Sequence, residues 1–446
     1  MSEYTVNQSI MPSSARINSN NHLEIGGCDV AELVKQYGTP LYVFDEKTIR
    51  ECAGEYKKAF SAYDNFSPLY ASKAFLTKAM CCIMQEEGFG LDVVSGGELF
   101  TAKEAGFSMS KILFNGNNKT AEELELAINL KVGRISVDNF YELNLLNNIA
   151  KEYDYKADIL LRITPGIECH THEYIQTGHL DSKFGFDLSQ IDEAVELIKN
   201  TYTSLSLKGL HAHIGSQIFE TRVYYDEVGV ILEQFAKIRD KFGIDLEDLN
   251  IGGGVGIKYT ENDDPPSLYE IGKIIVDSIN YHKQKYNLND IKLIVEPGRS
   301  IIGNAGVTLY TVGSSKQVPE GKKYIALDGG MADNPRPAMY QAKYHAIVAD
   351  NVKSDETETV TLAGRYCESG DVLITDIELP RTNPGNIICI FATGAYNYSM
   401  ASNYNRIPRP GAVLVHEGKS DVIIKRETFE DLVTLDKIPE RLSCKV

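Results

Sequence analysis

PLYASKA (68–74), FGLDVVS (89–95), KILFNG (111–116) and RISVDN (134–139) set the rhythm by which this chain is read. Each is a short apolar or β-branched run that ends in turn chemistry. Four more follow at similar spacing: ADILLRI (157–163), KGLHAHIG (208–215), DLNIGGG (248–254) and IKLIVEPG (291–298). Between them lie GGELFTAKEAGF, TAEELELAINLK, FYELNLLNNIAKEY, SQIDEAVELIKN and YYDEVGVILEQFAKIRDKFG. These place apolar residues three and four apart with charges between, the pattern of amphipathic helices. Eight alternating strand–helix units predict an α/β architecture, a closed (β/α)8 TIM-like barrel. A doubly wound open sheet is the competing arrangement. Its first strand would run into a GxGxxG turn, whereas here the first run leads to Lys73.

Beyond residue 305 the rhythm changes. VTLYTVGS, KYIALDG, HAIVAD, TETVTLAG, DVLITD, NIICIFAT, AVLVHEG and SDVIIKRE are short β-like runs separated by Gly, Pro, Asp and Asn, with only a short helical stretch at the end. They predict an all-β C-terminal domain, into which the N-terminal HLEIGGCDV is expected to pair. The expected division is a barrel over 40–305 and a β-rich domain formed by 1–39 and 306–446.

Composition excludes several classes. The 446 residues are 43 % apolar and 24 % charged, ordinary for a globular chain. No run approaches the ~18 apolar residues of a membrane helix. The N-terminal MSEYTVNQSIMPSS has no basic region followed by an apolar run, so no secretory signal is expected. A net charge of −17 opposes phosphate backbones and anionic membranes, so neither nucleic acid nor a membrane is an expected partner. The eight cysteines, at 28, 52, 81, 82, 169, 367, 389 and 444, form no CxxC pair. That is not zinc-site spacing, and reduced thiols in a cytoplasm are expected.

Chemistry in such a barrel lies at the carboxyl ends of the strands. Lys73, Asp92, His213, Gly252, Gly253, Gly254 and Glu296 fall there, with Gly298 and Arg299 just beyond. Lys73 is either a snorkelling strand-end lysine or an amine that forms a Schiff base, its pKa lowered by desolvation in the mouth. GGGVG is either a tight turn or a nest of N–H groups for an anion. Glu296 is either a rim carboxylate paired with Arg299 or the neighbour of a pyridine nitrogen, which it would keep protonated. His211 and His213, with His170, His172 and His179, could ligate a metal. That reading leaves the lysine, glycines and glutamate without a shared purpose, so no metal is expected, and His213 stacked on a cofactor ring accounts for more of the residues.

In order along the chain, YASKAF, GLDVVSGGEL, HTHEYIQTGHLDSKFGF, HIGSQI, GGGVGI, EPGRSIIGNAG, MADNPRPAMY, CESGDVL and GAYNYSMAS resemble the diaminopimelate decarboxylase family, of the fold-type III, alanine-racemase-like class. The likeness runs from about HLEIGG to the C-terminus. Small departures are the GRY before CESGD and the SIIGNAG after EPGR. The resemblance implies decarboxylation of meso-2,6-diaminopimelate to L-lysine and CO2, the last step of lysine biosynthesis, with pyridoxal 5'-phosphate as cofactor. It also implies a homodimer with shared active sites, to which the β-rich domain contributes. By the same resemblance Lys73 is the Schiff-base lysine, His213 stacks on the ring and Glu296 pairs with the pyridine nitrogen. Asp92, Ser216, Gly252, Gly253, Gly254, Gly298, Arg299 and Tyr396 complete the cofactor site. Arg299, Arg336, Tyr340, Glu368 and Tyr396 bind substrate: the arginines and Tyr340 its distal carboxylate, Glu368 its distal ammonium. Cys367 is the proton donor, and it reaches the site with Glu368 from the partner subunit. Other readings stay open: a same-fold decarboxylase of ornithine, lysine, arginine or a D-amino acid, a racemase, or a catalytically inactive regulatory relative.

Overall fold

The computed structural model describes residues 4–167, 182–354 and 356–442. His170, His172 and His179, and most of the 164–188 segment read from its glycines as a lid, lie outside the described residues.

Each of the eight runs forms a strand: β1 Phe66–Ala71, β2 Gly90–Val93, β3 Ile112–Phe114, β4 Arg134–Val137, β5 Ala157–Thr164, β6 Leu205–His211, β7 Asp248–Asn250 and β8 Lys292–Val295. All pair in parallel in chain order, and β8 returns to β1 with Leu293 opposite Phe66, which closes the barrel. The expected helices sit between the strands, for instance Gly96–Glu104, Ala121–Leu130, Phe140–Glu152, Ile191–Asn200 and Arg222–Phe242. Their starts are chemically marked. Ser95, Thr120 and Asn139 each accept a backbone N–H three residues on, satisfying a donor that the helix itself cannot.

The barrel interior is layered. Leu69, Leu113, Leu160 and Ile294, from β1, β3, β5 and β8, form a buried apolar cluster. Toward the carboxyl ends the inward positions turn polar, and that change creates the site.

Two compact units emerge, and they do not follow a boundary at 39/40. The barrel unit comprises 1–13, 47–305 and 394–399; the second comprises 14–46, 306–393 and 400–446. The difference traces to LYVFD. This run forms the strand Leu41–Asp45, which lies within the second unit's sheet, antiparallel to Gly306–Gln317 and parallel to Gly411–His416. All five of its residues are buried, so it needs cover on both faces and partners on both edges. The all-β runs all form strands, in the order Val372–Pro380, Thr357–Ala363, Lys323–Leu327, Gly306–Gln317, Leu41–Asp45, Gly411–His416, Lys419–Ile424; Ile387–Ile390 pairs Gly306–Gln317 and Ala346–Val348. HLEIGGCDV does not join this sheet as expected. Leu23–Ile25 pairs Cys28–Asp29 and Arg16–Ile17 in a three-stranded sheet of its own, because Gly26 and Gly27 turn the chain back on itself at positive φ.

Among the described residues, no helix is long and apolar enough to cross a membrane.

Candidate active site

One polar side chain per strand gathers at the carboxyl mouth of the barrel: Lys73 just past β1, Asp92 on β2, Asn115 past β3, Ser136 on β4, Arg162 on β5, His211 on β6, Asn250 on β7 and Glu296 past β8. Strand register aligns them, since His211 faces both Arg162 and Asn250 across its two edges.

Glu296 is the hub. Its Oε1 accepts from Asn250 Nδ2 at 2.7 Å and from Asn115 Nδ2 at 3.3 Å. Its Oε2 lies 3.5 Å from His211 Nε2, an electrostatic approach rather than a well-formed hydrogen bond. Burial opposes the charge, but His211, Lys73 and the Asn250 amide outweigh it and hold the Glu296 pKa below the usual carboxylate range. Asp92 goes the other way. Burial and the adjacent Glu296 charge push its pKa up. Asn115 donates to its Oδ1, and its Oδ2 is buried without a hydrogen-bond partner. Two carboxylates in one mouth are thus split, one ionised and one inclined to keep a proton.

Lys73 leaves β1 in the one-turn segment Ser72–Ala74. Its side chain is exposed, yet protein atoms surround it on enough sides for desolvation to oppose its charge. Asp92, Tyr396 and Glu296 more than compensate, and its pKa is raised. The lowered amine pKa expected from desolvation alone is therefore reversed, because Asp92, Tyr396 and Glu296 together supply the larger effect.

His213 follows β6, and burial with the charges of Lys73 and Arg162 holds its pKa well below the ordinary imidazole value. Its Nδ1 accepts the Gly253 N–H at 3.3 Å, so the ring is neutral on that side. The glycine run is partly a turn: Gly252 and Gly254 have φ of +63° and +99°. Its N–H groups divide. Gly252 donates to Asn250 Oδ1 at 2.8 Å and Gly253 to His213, while those of Gly254 and Gly298 have no hydrogen-bond partner among the described residues. Gly298 precedes the short helix Arg299–Ile302, and a Cβ there would lie 3.0 Å from that of Ala71.

Arg299 is buried and extends Nη2 to Ser216 Oγ at 2.9 Å and Nη1 to the Tyr259 hydroxyl, with its guanidinium 4.8 Å from the centroid of the Tyr396 ring. The alternative reading of Glu296 as a rim carboxylate paired with Arg299 is not met, since Arg299 turns to Ser216 and Tyr259 and Glu296 to Asn250, Asn115 and His211. Tyr396 is fixed by its own N–H, which donates to the Ala74 carbonyl at 2.8 Å. Lys73, Asp92, His213, Ser216, Gly252, Gly253, Gly254, Glu296, Gly298, Arg299 and Tyr396 all belong to the barrel unit.

The second unit holds the rest. Arg336 opens the one-turn helix Arg336–Tyr340 and is buried, its Nη1 2.6 Å from the Tyr344 hydroxyl; Tyr340 ends that helix, half-buried. Cys367 and Glu368 are exposed on a turn, and the Cys367 N–H donates to Asn405 Oδ1 at 2.8 Å.

Sequence reasoning missed Asn115, Ser136, Arg162 and Asn250. The available signal was a lone polar residue near the carboxyl end of an apolar strand, as in ADILLRI and DLNIGGG. Among the described residues no group of three His, Cys, Asp or Glu is arranged to hold a metal ion.

The residues fit a phosphorylated aldehyde with a basic ring nitrogen: an amine for the aldehyde, an ionised carboxylate for the nitrogen, and unengaged N–H groups on Gly254 and Gly298 for the phosphate. The sequence profile of "Pyridoxal-dependent decarboxylase, pyridoxal binding domain" matches residues 46–303, so the chain is a pyridoxal-dependent decarboxylase and its cofactor is pyridoxal phosphate. Diaminopimelate decarboxylase of Bacillus subtilis is 50 % identical over 95 % of this chain and 97 % of its own length, and that of Synechocystis sp. is 50 % identical over 98 % and 94 %. A crystal structure of diaminopimelate decarboxylase from M. jannaschii in complex with L-lysine superposes with a TM-score of 0.91 at 36 % identity, covering 97 % of this chain and 99 % of that one. The chain belongs to the diaminopimelate decarboxylase family.

Proposed function

We propose that this chain removes the carboxylate from the D-centre of meso-2,6-diaminopimelate and releases L-lysine and carbon dioxide. The observation that carries the proposal is the ionised Glu296, held by Asn250, Asn115 and His211 in the same mouth as Lys73. When bound, pyridoxal phosphate delocalises the electron pair left by the departing carbon dioxide. Lys73 would hold the cofactor by its aldehyde carbon and later return as the amine that releases product. Glu296 would keep the ring nitrogen protonated, because a carboxylate beside it favours the charged form. His213, neutral at its Nδ1 side, offers a flat face to the ring. Gly254 and Gly298, whose N–H groups are unengaged, would hold the phosphate with Ser216 and Tyr396, while Gly252 and Gly253, their N–H groups taken by Asn250 and His213, would shape the loop around it, and Asp92 would stand beside the amine.

Substrate selection in this reading falls to Arg299, Arg336, Tyr340 and Tyr396, the arginines and Tyr340 taking the distal carboxylate, and to Glu368 for the distal ammonium. Burial of both arginines supports this, since a planar guanidinium grips a carboxylate through two parallel hydrogen bonds and is worth more away from water. Lysine and ornithine lack the distal carboxylate and would leave those arginines unpaired, a strong basis for rejection. Cys367 returns the proton to the carbon that lost carbon dioxide. Its exposure and that of Glu368 suit groups donated to a second copy of the chain, in a homodimer with shared sites. Cys28, Cys52, Cys81, Cys82 and Cys389 form no disulfide, which supports a reducing, cytoplasmic setting.

Purified chain with cofactor, given meso-diaminopimelate, should yield equal amounts of carbon dioxide and lysine. Faster turnover of lysine or ornithine would overturn the substrate reading. Mixing inactive Lys73→Ala and Cys367→Ala chains should restore activity, and no restoration would overturn the shared site.

A further inference from the structure

We propose that the amino end of the barrel, opposite the mouth that holds Lys73 and Glu296, carries a binding site for a small dicarboxylate. Lys111, Arg134 and Lys292 take its oxygens, and Leu69, Leu113 and Ile294 lie under its carbon chain. The site falls wholly within the barrel unit, and it does not depend on the reaction proposed above.

A cavity of about 350 Å³ opens there, at the small end of the ~300–1,000 Å³ common for ligand pockets. Its wall is built from strand starts: Phe66, Gly90, Ile112, Arg134, Asp248 and Lys292 are the first residues of β1, β2, β3, β4, β7 and β8. Gly90 shares a strand face with Asp92 and brings no side chain to it, which leaves room. The floor is apolar. Leu69, Leu113 and Ile294 belong to the buried cluster that fills the barrel. Leu113 and Ile294 each stand one strand repeat before Asn115 and Glu296, so an apolar layer divides the cavity from the active site.

Charge gives the class of ligand. The lining holds three cations, Lys111, Arg134 and Lys292, against one carboxylate, Asp248, an excess of two positive charges in a chain whose net charge is −17. Asp248 is fully buried and engaged at both oxygens: Oδ2 accepts from Arg134 Nε at 2.7 Å, and Oδ1 lies 3.0 Å from Lys292 Nζ. Arg134 Nη1 donates to the Gly133 carbonyl at 2.8 Å and to Asp158 at 3.1 Å, and Asp158 is shared with Lys208 at 3.9 Å. Nη2 of Arg134 makes no hydrogen bond among the described residues, and the Lys111 ammonium at the exposed rim has no ion pair among them. One carboxylate suits the unengaged guanidinium edge, a second suits Lys111, and together they match the excess charge. The apolar floor selects carbon between them over a bare phosphate.

Glutarate, titrated calorimetrically into the enzyme loaded with pyridoxal phosphate, is the probe. Lys111→Met should weaken its binding about tenfold or more, the scale of one hydrogen bond between charged groups. Ser110→Glu, which sets a negative charge on the rim, should abolish it. Both positions are exposed, so neither change disturbs the barrel's packing. At roughly ten times its Kd, glutarate should raise the thermal midpoint of the wild type by about 2–5 °C and leave that of Ser110→Glu unmoved. Arg299→Ala removes a carboxylate grip from the active site and should keep this binding. Absence of glutarate binding overturns the proposal, as does binding that survives both Lys111→Met and Ser110→Glu or is lost in Arg299→Ala. Inorganic phosphate is the second arm, and phosphate bound as tightly as glutarate overturns the assignment of a dicarboxylate. Binding is read without turnover, so failure of the proposed reaction would not alter these outcomes.

Discussion

Asn250 performs two tasks with one amide, and two substitutions separate them. Nδ2 donates to Glu296 Oε1 at 2.7 Å, and Oδ1 accepts the Gly252 N–H at 2.8 Å, with the residue fully buried. Asn250→Ala leaves a buried carboxylate short of one donor and a glycine N–H short of its acceptor. A hydrogen bond to a charged group contributes about 1.5–3 kcal/mol and a neutral one about 1 kcal/mol, so the loss is about 3 kcal/mol. For a unit of this size that lowers the midpoint of thermal unfolding by roughly 6–12 °C. Asn250→Asp keeps the shape and the acceptor but puts a carboxylate oxygen where the donor stood. At that 2.7 Å separation, two unit charges repel by about 6 kcal/mol at an effective dielectric constant near 20. Both cannot ionise, so the pair shares a proton near neutrality and Glu296 loses part of the charge that, in the proposed function, would hold the pyridine nitrogen protonated. The assay is kcat/KM from acid to alkaline pH on cofactor-saturated enzyme, with calorimetry of the cofactor-free chain. Asn250→Asp should lose about tenfold or more, the equivalent of at least one unit of carboxylate pKa. Wild-type kcat/KM for Asn250→Asp, or an Asn250→Ala midpoint within about 2 °C of wild type, would refute the reasoning.

Cys367→Ala should retain the cofactor and lose on the order of 10²–10⁴-fold in turnover, the range for a missing general acid; full activity removes the role. Arg299→Ala should raise KM for diaminopimelate more than it weakens cofactor binding, measured by titration of the cofactor-free chain. Equal losses would mean that its contacts to Ser216 and Tyr396 mainly shape the cofactor pocket. Asp92 sets a pH dependence. Burial and the Glu296 charge push it up to about 8 from an unfolded value of 3.8. The folded chain then holds a proton that the unfolded chain releases between these values, so Asp92 lowers stability as pH rises through that window. Asp92→Asn in the cofactor-free chain should flatten the fall in unfolding midpoint with pH, and a curve parallel to wild type would contradict it.

The barrel was legible because its signals are local. A run such as FGLDVVS followed by GGELFTAKEAGF carries strand and helix periodicity within two dozen residues, and eight such units in a row leave few topologies. Lys73, Glu296 and the GGGVG run were legible for a related reason: chemistry gathers at strand ends, and those ends can be counted. LYVFD was not. A continuous apolar run of five residues is a buried strand in any sheet that covers it, and its partners here, Gly306–Gln317 and Gly411–His416, are hundreds of residues away.

The sequence by itself determined an eight-stranded barrel, a following β region, and that Lys73, Asp92 and Glu296 stand at the carboxyl ends of its strands. Only the tertiary structure decided how those groups are charged. Asn115, Asn250, His211 and Arg162 converge on the mouth from four strands because parallel register lines up their inward faces, and no local pattern announces that. Asp92 and Glu296 are both carboxylates at strand ends, alike on the page. They acquire opposite protonation tendencies because two amides and a histidine surround one, while the other is buried with a single donor. Charge in a protein interior depends on neighbours in space, and those neighbours come from every part of the chain.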